Sequence, residues 1–334
     1  MHGRSHIKRH IKPHIRPAMK HQRGVAIVTA LLLAALAITL VMSLFGQQNV
    51  QVRSIENQRY QLQKVWVMRG ALDWARLILR EDAKVNHVDY IGEPWSVPLE
   101  ETRLDDYVDN GNSSEDDTDA TLSGYITDAE SRLNLTNLSA GGIIDQPTLQ
   151  AFQKLLSAQG MDPGLALATA QMVASTQSQA AQFNADGSVG AAAVNAKILA
   201  LTQVDDLLAI PGFTTASVLK LRDLVVFLPV ATPININTAS AQVISARIAS
   251  ISLSDAQQIV TNRDQAYFRD LTDLGARWDA SKGKLPAATV VNTQTNYFIV
   301  HGHVRLGRSV LDQDALIERT PGTGVTRVVW VRQS

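Results

Sequence analysis

Residues 25–45 read VAIVTALLLAALAITLVMSLF, a run without a single charge. At ~1.5 Å per residue, a helix of this run reaches ~31 Å, one hydrocarbon thickness of a bilayer. Lys20 and Arg23 abut its start and the first charge beyond it is Arg53, so the positive-inside rule puts the preceding segment in the cytoplasm. A secretory signal would close such a run on a small-x-small cleavage site, whereas helix-forming sequence here continues without proline to Pro94. Farther along, Val65, Met68, Leu72, Ala75 and Leu79 recur at spacings of three and four, with Arg69, Asp73, Arg76 and Arg80 off that stripe. One helix, from Val25 to about Lys84, is expected to cross lipid with its first half and lay its second half on a sheet.

The chain has 334 residues, 31 Lys+Arg against 31 Asp+Glu, and no cysteine. That length suggests about two domains. The missing cysteines exclude a disulfide scaffold, a Cys-ligated zinc site, an iron–sulfur cluster and a thiol nucleophile. Behind the neutral total lies segregation: residues 1–24 carry seven bases and no acid, whereas residues 81–130 carry fifteen acids against Lys84 and Arg103. A basic start followed by an acidic body reads as cytoplasmic tail and exported domain.

Beyond the first helix, Ile91 to Asn112 reads as a loop with at most a short strand, and Leu122 to Thr127 alternates as a strand. The pattern is then helical from Ser139 to about Lys284, with candidates at Thr148–Gln159, Gly164–Ser178, Val204–Ile210, Thr215–Leu228, Ser240–Ala249, Ser254–Asn262 and Asp270–Trp278. Gln182 to Gly190 reads as a loop. Strand patterns return at Asn296–Leu306, Val310–Arg319 and Val325–Val331, a meander whose second turn holds Gly322 and Gly324. Three strands bury only one face, and the amphipathic half of the first helix is the cover. The expected fold is therefore α+β, a long N-terminal helix packed on an antiparallel sheet, with a large all-α insertion.

The residues also resemble a known family. Lys20-His21-Gln22-Arg23-Gly24 followed at once by the apolar run looks like a type IV prepilin leader. That resemblance implies cleavage by a prepilin peptidase between Gly24 and Val25, then methylation of the Val25 amine, with Met19 an alternative start. Most pilins and pseudopilins carry Glu five positions into the mature chain; Thr29 stands there. This departure resembles one class, the large minor pseudopilin of type II secretion, general secretion pathway protein K. Thr127–Leu138, TDAESRLNLTNL, is similar to that class's D-x-x-x-(R/K)-(F/L)-N-(L/I)-N stretch through Asp128, Arg132 and Asn134, with Thr136 in place of the second Asn. Pro233 to Ala239 matches its (V/I)-N-(V/I)-N-T-A motif through Asn235, Asn237 and Thr238.

With the resemblance, the segments are expected to be leader 1–24, transmembrane part 25–45, periplasmic half of the first helix 46–84, pilin domain 85–138 and 289–334, and helical insertion 139–288. The implied function is non-enzymatic: a subunit at the tip of the pseudopilus that initiates or caps its assembly for export of folded exoproteins across the outer membrane. Implied partners are minor pseudopilins of the I, J and H classes, the major pseudopilin, the prepilin peptidase, the assembly platform and the inner membrane of a Gram-negative bacterium. The bulk would be periplasmic and the N-terminus cytoplasmic.

Three further features bear on chemistry. Val204–Leu224 and Ile234–Leu274 look like helix-hairpin-helix units, which makes a membrane-anchored DNA-uptake protein the rival reading. Residues 139–288 hold ten bases against eleven acids, so the electrostatic term that dominates nucleic-acid affinity is missing and no nucleic acid is expected. Asp105, Asp106, Asp109, Asn110, Glu115, Asp116, Asp117 and Asp119 crowd oxygen ligands that suit Ca²⁺. Their spacing is not that of an EF-hand, and a solvated acidic loop is the alternative. The resemblance tilts toward calcium; no cofactor is required. His301 and His303 share a strand face, either as a metal pair or as two exposed histidines. G-x-S-x-G, H-E-x-x-H and G-x-x-x-x-G-K-[ST] are all absent, so an enzyme is the weakest class.

Overall fold

The computed structural model describes residues 23–104, 120–178, 182–183, 189–191, 195–196, 198–307, 309–320 and 322–333. The chain divides into two compact units, Met1–Tyr60 and Gln61–Ser334. Helix α1 is Arg23–Val85. In the first unit its apolar run Val25–Phe45 is exposed along its length. Thr29 turns its hydroxyl back on the carbonyls of Val25 and Ala26, 3.0 Å from each.

In the second unit α1 is followed by β1 (Leu99–Arg103) and β2 (Ala120–Asp128). Then come helices α2 (Gln146–Ala158), α3 (Gly164–Ser175), α4 (Thr215–Leu221), α5 (Ala241–Arg247), α6 (Leu253–Gln265) and α7 (Leu271–Ala276). The chain closes with β3 (Tyr297–Leu306), β4 (Ser309–Arg319) and β5 (Thr326–Gln333). These strands form one antiparallel sheet in the order β1-β2-β3-β4-β5. Neighbours β2 and β3 pair from Phe298↔Asp128 to Leu306↔Ala120, so the whole helical region is spliced between two adjacent strands.

One face of the sheet takes the stripe Met68, Leu72, Ala75 and Leu79 of α1, all buried. Leu72, Leu79, Trp95, Phe298, Ala315 and Ile317 form that core. The helix passes so near that a Cβ added to Gly302 would stand 2.5 Å from Met68 Sδ. Val65, which the spacing includes in the stripe, is exposed instead. On the opposite face Tyr297, Ile299 and Leu316 pack with Ala129, Val226 and Leu228, so alternation along β3 feeds two different cores.

Three local readings need correction. The helix expected over Thr215–Leu228 stops at Leu221, because Val225-Val226 is buried and pairs in parallel with Leu133-Asn134. Val204–Ala209 is a 3₁₀ turn. Gln182–Phe183 pairs with Val189–Ala191 as a short hairpin.

Candidate functional site: a buried polar seam

Where the sheet meets the helices, polar side chains converge out of contact with water. Asp128 ends β2, and Asp128 Oδ2 accepts from Thr238 Oγ1 at 2.5 Å, Thr295 Oγ1 at 2.6 Å and Asn235 Nδ2 at 2.9 Å. Its other oxygen caps the following turn through Glu130 N at 2.7 Å. Asn235 Nδ2 also reaches the Asp89 carbonyl at 2.9 Å. Asp89 in turn accepts from Thr295 N at 2.7 Å and from Arg319 at 2.5 Å. Arg319 gives its other end to Asp82 at 3.0 Å and lies 4.7 Å over the Phe298 ring. A loop, two strands, a connecting turn and the end of α1 are thus tied at one point.

The remaining motif residues lock other segments. Asn237 exchanges a pair of bonds with the backbone of Phe268, donating at 2.9 Å and accepting at 2.8 Å. Asn134 donates to the Val230 carbonyl at 2.8 Å and accepts from Leu228 N at 3.2 Å. Arg132 stands apart, its side chain largely buried and 4.0 Å from Asp223. The structure therefore brings Asp128, Asn235 and Thr238 together, with Asn237 N–H donating to Asn235 Oδ1 at 3.0 Å, while the side chains of Asn134, Asn237 and Arg132 each act elsewhere. Buried amides replacing sheet-like bonds between irregular segments explain why asparagine recurs, since such backbone must be satisfied somewhere.

Burial sets the charge state of the seam. Desolvation lifts Asp128 to about 6. Glu130 is pushed well above the usual carboxylate range by burial and then by the charge of Asp128, and burial raises Asp89 and Asp82 despite Arg319. Burial also lowers Arg132.

Asp82, Asp89 and Glu93 place carboxylate oxygens within 4.8 Å of one another, the grouping a cation would want. Arg319 already bridges two of them, and Glu93 accepts from Asn86 at 3.0 Å, Tyr90 N at 3.0 Å and Trp95 Nε1 at 2.7 Å. With one guanidinium between two of its carboxylates and the third held by three neutral donors, this cluster reads as a buried polar network. The acidic set Asp105, Asp106, Asp109, Asn110, Glu115, Asp116, Asp117 and Asp119 lies outside the described residues. His301 and His303 each have a cross-strand carboxylate, Asp314 at 2.7 Å and Asp312 at 2.5 Å. These partners hold Nδ1 of both imidazoles.

The hairpin loops are also occupied. Gly212, at φ +107°, lies so close to α3 that an added Cβ would stand 2.6 Å from Leu165 Cδ2. Lys154 Nζ takes the carbonyls of Ser245 and Ile251 beside the second loop, at 2.7 and 3.1 Å. Sequence reasoning missed Arg319, Asp89 and Thr295. Only Arg319 left a signal: Leu311, Ala315 and Ile317 place its register on the apolar face of β4.

Comparison with known proteins gives a consistent picture. A family model described as "Type II secretion system (T2SS), protein K" matches residues 234–294, and a second with the same description matches residues 131–230. Type II secretion system protein K of Pseudomonas aeruginosa is 27% identical over 306 residues, spanning 86% of this chain and 85% of that protein. Among solved structures, a chain of the GspK-GspI-GspJ complex of the enterotoxigenic Escherichia coli type 2 secretion system superposes with a TM-score of 0.63. It is 18% identical and covers 84% of this chain and 99% of that one. At that identity the likeness speaks for the fold.

Proposed function

We propose, because this chain belongs to the type II secretion system protein K family, that it is the minor pseudopilin at the tip of the pseudopilus, where it initiates or caps assembly. Its fold partner in Escherichia coli was solved with GspI and GspJ, which supports I- and J-class subunits as its own partners. The observation that carries the tip assignment is Thr29, whose hydroxyl is spent on its own helix. A subunit offering no carboxylate at this position has nothing to pair with the terminal amine of a subunit above it. The bulky helical region spliced between β2 and β3 agrees, since it would crowd a repeating fibre.

Val25–Phe45, the one helical run among the described residues long and apolar enough to cross a membrane, fits an inner-membrane anchor. On this reading the bulk of the chain is periplasmic, the peptidase cuts after Gly24, and the Val25 amine is methylated. The bond lies in the first turn of α1, which begins at Arg23. The role is mechanical and needs no catalytic group; as the filament grows, the tip pushes folded exoproteins toward the outer-membrane channel.

Mass analysis of the membrane-extracted protein tests this: loss of residues 1–24 with one added methyl is expected, and Gly24→Val should leave the precursor intact. An uncut N-terminus in the assembled protein would overturn the reading.

A further inference from the structure

The face of β3 that turns away from α1 is covered over only part of its length. Tyr297 and Ile299 pack with Val226 and Leu228 of the helical region, whereas His301 and His303, next on that face by alternation, remain partly exposed. Register sets Asp314 of β4 across from His301 and Asp312 across from His303. On the other side Tyr125 and Ser123 of β2 stand opposite the same two histidines. These six residues line a depression of about 430 Å³.

Each imidazole meets its carboxylate through Nδ1, at 2.7 Å for His301 and 2.5 Å for His303. An ionised carboxylate only accepts, so Nδ1 carries the hydrogen and the lone pair of the neutral ring falls on Nε2. With Nδ1 tied to β4, Nε2 is turned toward β2, and that of His301 lies 3.2 Å from Thr127 Oγ1. The Tyr125 ring stacks on His301 at 4.4 Å and steadies it there. A carboxylate behind an imidazole is the arrangement that fixes tautomer and ring in metal-ligating histidines and makes the free nitrogen more basic. Charge points the same way. Among the described residues the ion pairs of Asp312 and Asp314 are with these histidines alone. Arg332, across from Asp314 on β5, is spent on Thr202. Two carboxylates therefore stand side by side on β4 with no fixed cation on either.

We propose that His301 and His303 bind one late first-row divalent ion, with Zn²⁺ as the probe, through Nε2, while Asp314 and Asp312 position the rings and water fills the remaining sites. Residues i and i+2 of a strand are ~7 Å apart, a gap two imidazoles leaning together close around an ion at ~2.0–2.1 Å from each nitrogen. The ion displaces the long Thr127 contact and offsets the charges on β4. Imidazole favours zinc, nickel and copper, whereas calcium and magnesium want oxygen. The site is thus chemically distinct from any that the acidic residues before β2 would form, and it is independent of the place of the chain in a filament.

Five of the eight histidines precede Val25, so the test reads each histidine separately. The full-length chain, in detergent and without an affinity tag, is labelled with diethyl pyrocarbonate, which attacks unprotonated imidazole nitrogen, and is mapped by mass spectrometry. Saturating Zn²⁺ should protect His301 and His303 together, and millimolar Ca²⁺ should protect neither. Calorimetric titration should find one ion fewer per chain in His301→Ala with His303→Ala. Asp312→Asn with Asp314→Asn keeps both ligands and should weaken that ion by about tenfold or more. Labelling needs no variant, so a substitution that unfolds the chain leaves the answer intact. Unchanged labelling of either histidine under Zn²⁺, equal stoichiometry in the double histidine variant, or equal affinity in the aspartate variant would each overturn the proposal and leave two solvated cross-strand pairs.

Discussion

Asp128 carries four hydrogen bonds and is fully enclosed, and desolvation still outweighs them, leaving it at about 6 against 3.8 for a free side chain. The folded state therefore holds this proton more tightly than the unfolded chain. Its stabilising contribution is complete below pH ~4 and is lost as pH rises through ~6. Roughly two pKa units bound that loss at about 3 kcal/mol. Glu130, Asp89 and Asp82 shift in the same direction, so thermal stability of the detergent-extracted chain should fall between pH ~4 and ~6. Asp128→Asn should flatten that slope and cost about 1–2 kcal/mol at pH 5; parallel pH curves for the two proteins would refute the assignment. Two glycines of the sheet should respond differently. A Cβ on Gly124 would meet the His301 carbonyl oxygen at 2.5 Å, whereas one on Gly302 would meet the movable Met68 side chain. Urea unfolding should show Gly124→Ala losing about 1–3 kcal/mol and Gly302→Ala less.

At the scale of elements, α1 holds the sheet at two places. The Met68–Leu79 stripe closes the sheet, and the buried Lys64 pins the β3–β4 hairpin through Ser309 Oγ at 2.5 Å and the Val310 carbonyl at 3.0 Å. Between β1 and β2 the sequence runs through the acidic residues Asp105, Asp106, Asp109, Asn110, Glu115, Asp116, Asp117 and Asp119. Eight carboxylate or amide side chains in so short a run repel one another unless a cation offsets them. Millimolar Ca²⁺ is expected to raise the Tm and EGTA to lower it. Replacing Asp116, Asp117 and Asp119 by Asn should remove most of that difference; an equal calcium shift in the triple variant would move the site elsewhere.

For the whole molecule, the two hairpin loops of the helical region are engaged by Leu165 and Lys154, and that region has no excess of positive charge. A gel-shift titration at ~150 mM salt should find no retention of duplex or single-stranded DNA. Retention that weakens steeply with salt would revive the uptake reading.

What the sequence determined by itself were the features whose physics is local. An uncharged run of one bilayer thickness, a 3.6-residue stripe and alternating strands decide which face of each element avoids water, so the α1 anchor, its packing face and the closing meander are legible from residue order. The two Asn-bearing motifs were legible as well, as a resemblance. The tertiary structure alone decided what those motifs hold. Asp128, the Asn235–Thr238 turn, Thr295 and Arg319 come from separate stretches of the chain, and their meeting depends on β2 pairing with β3 across the whole helical region. It also decided that Val225-Val226 leaves its helix for a parallel bridge with Leu133-Asn134, because a buried backbone must find partners wherever the surrounding fold supplies them.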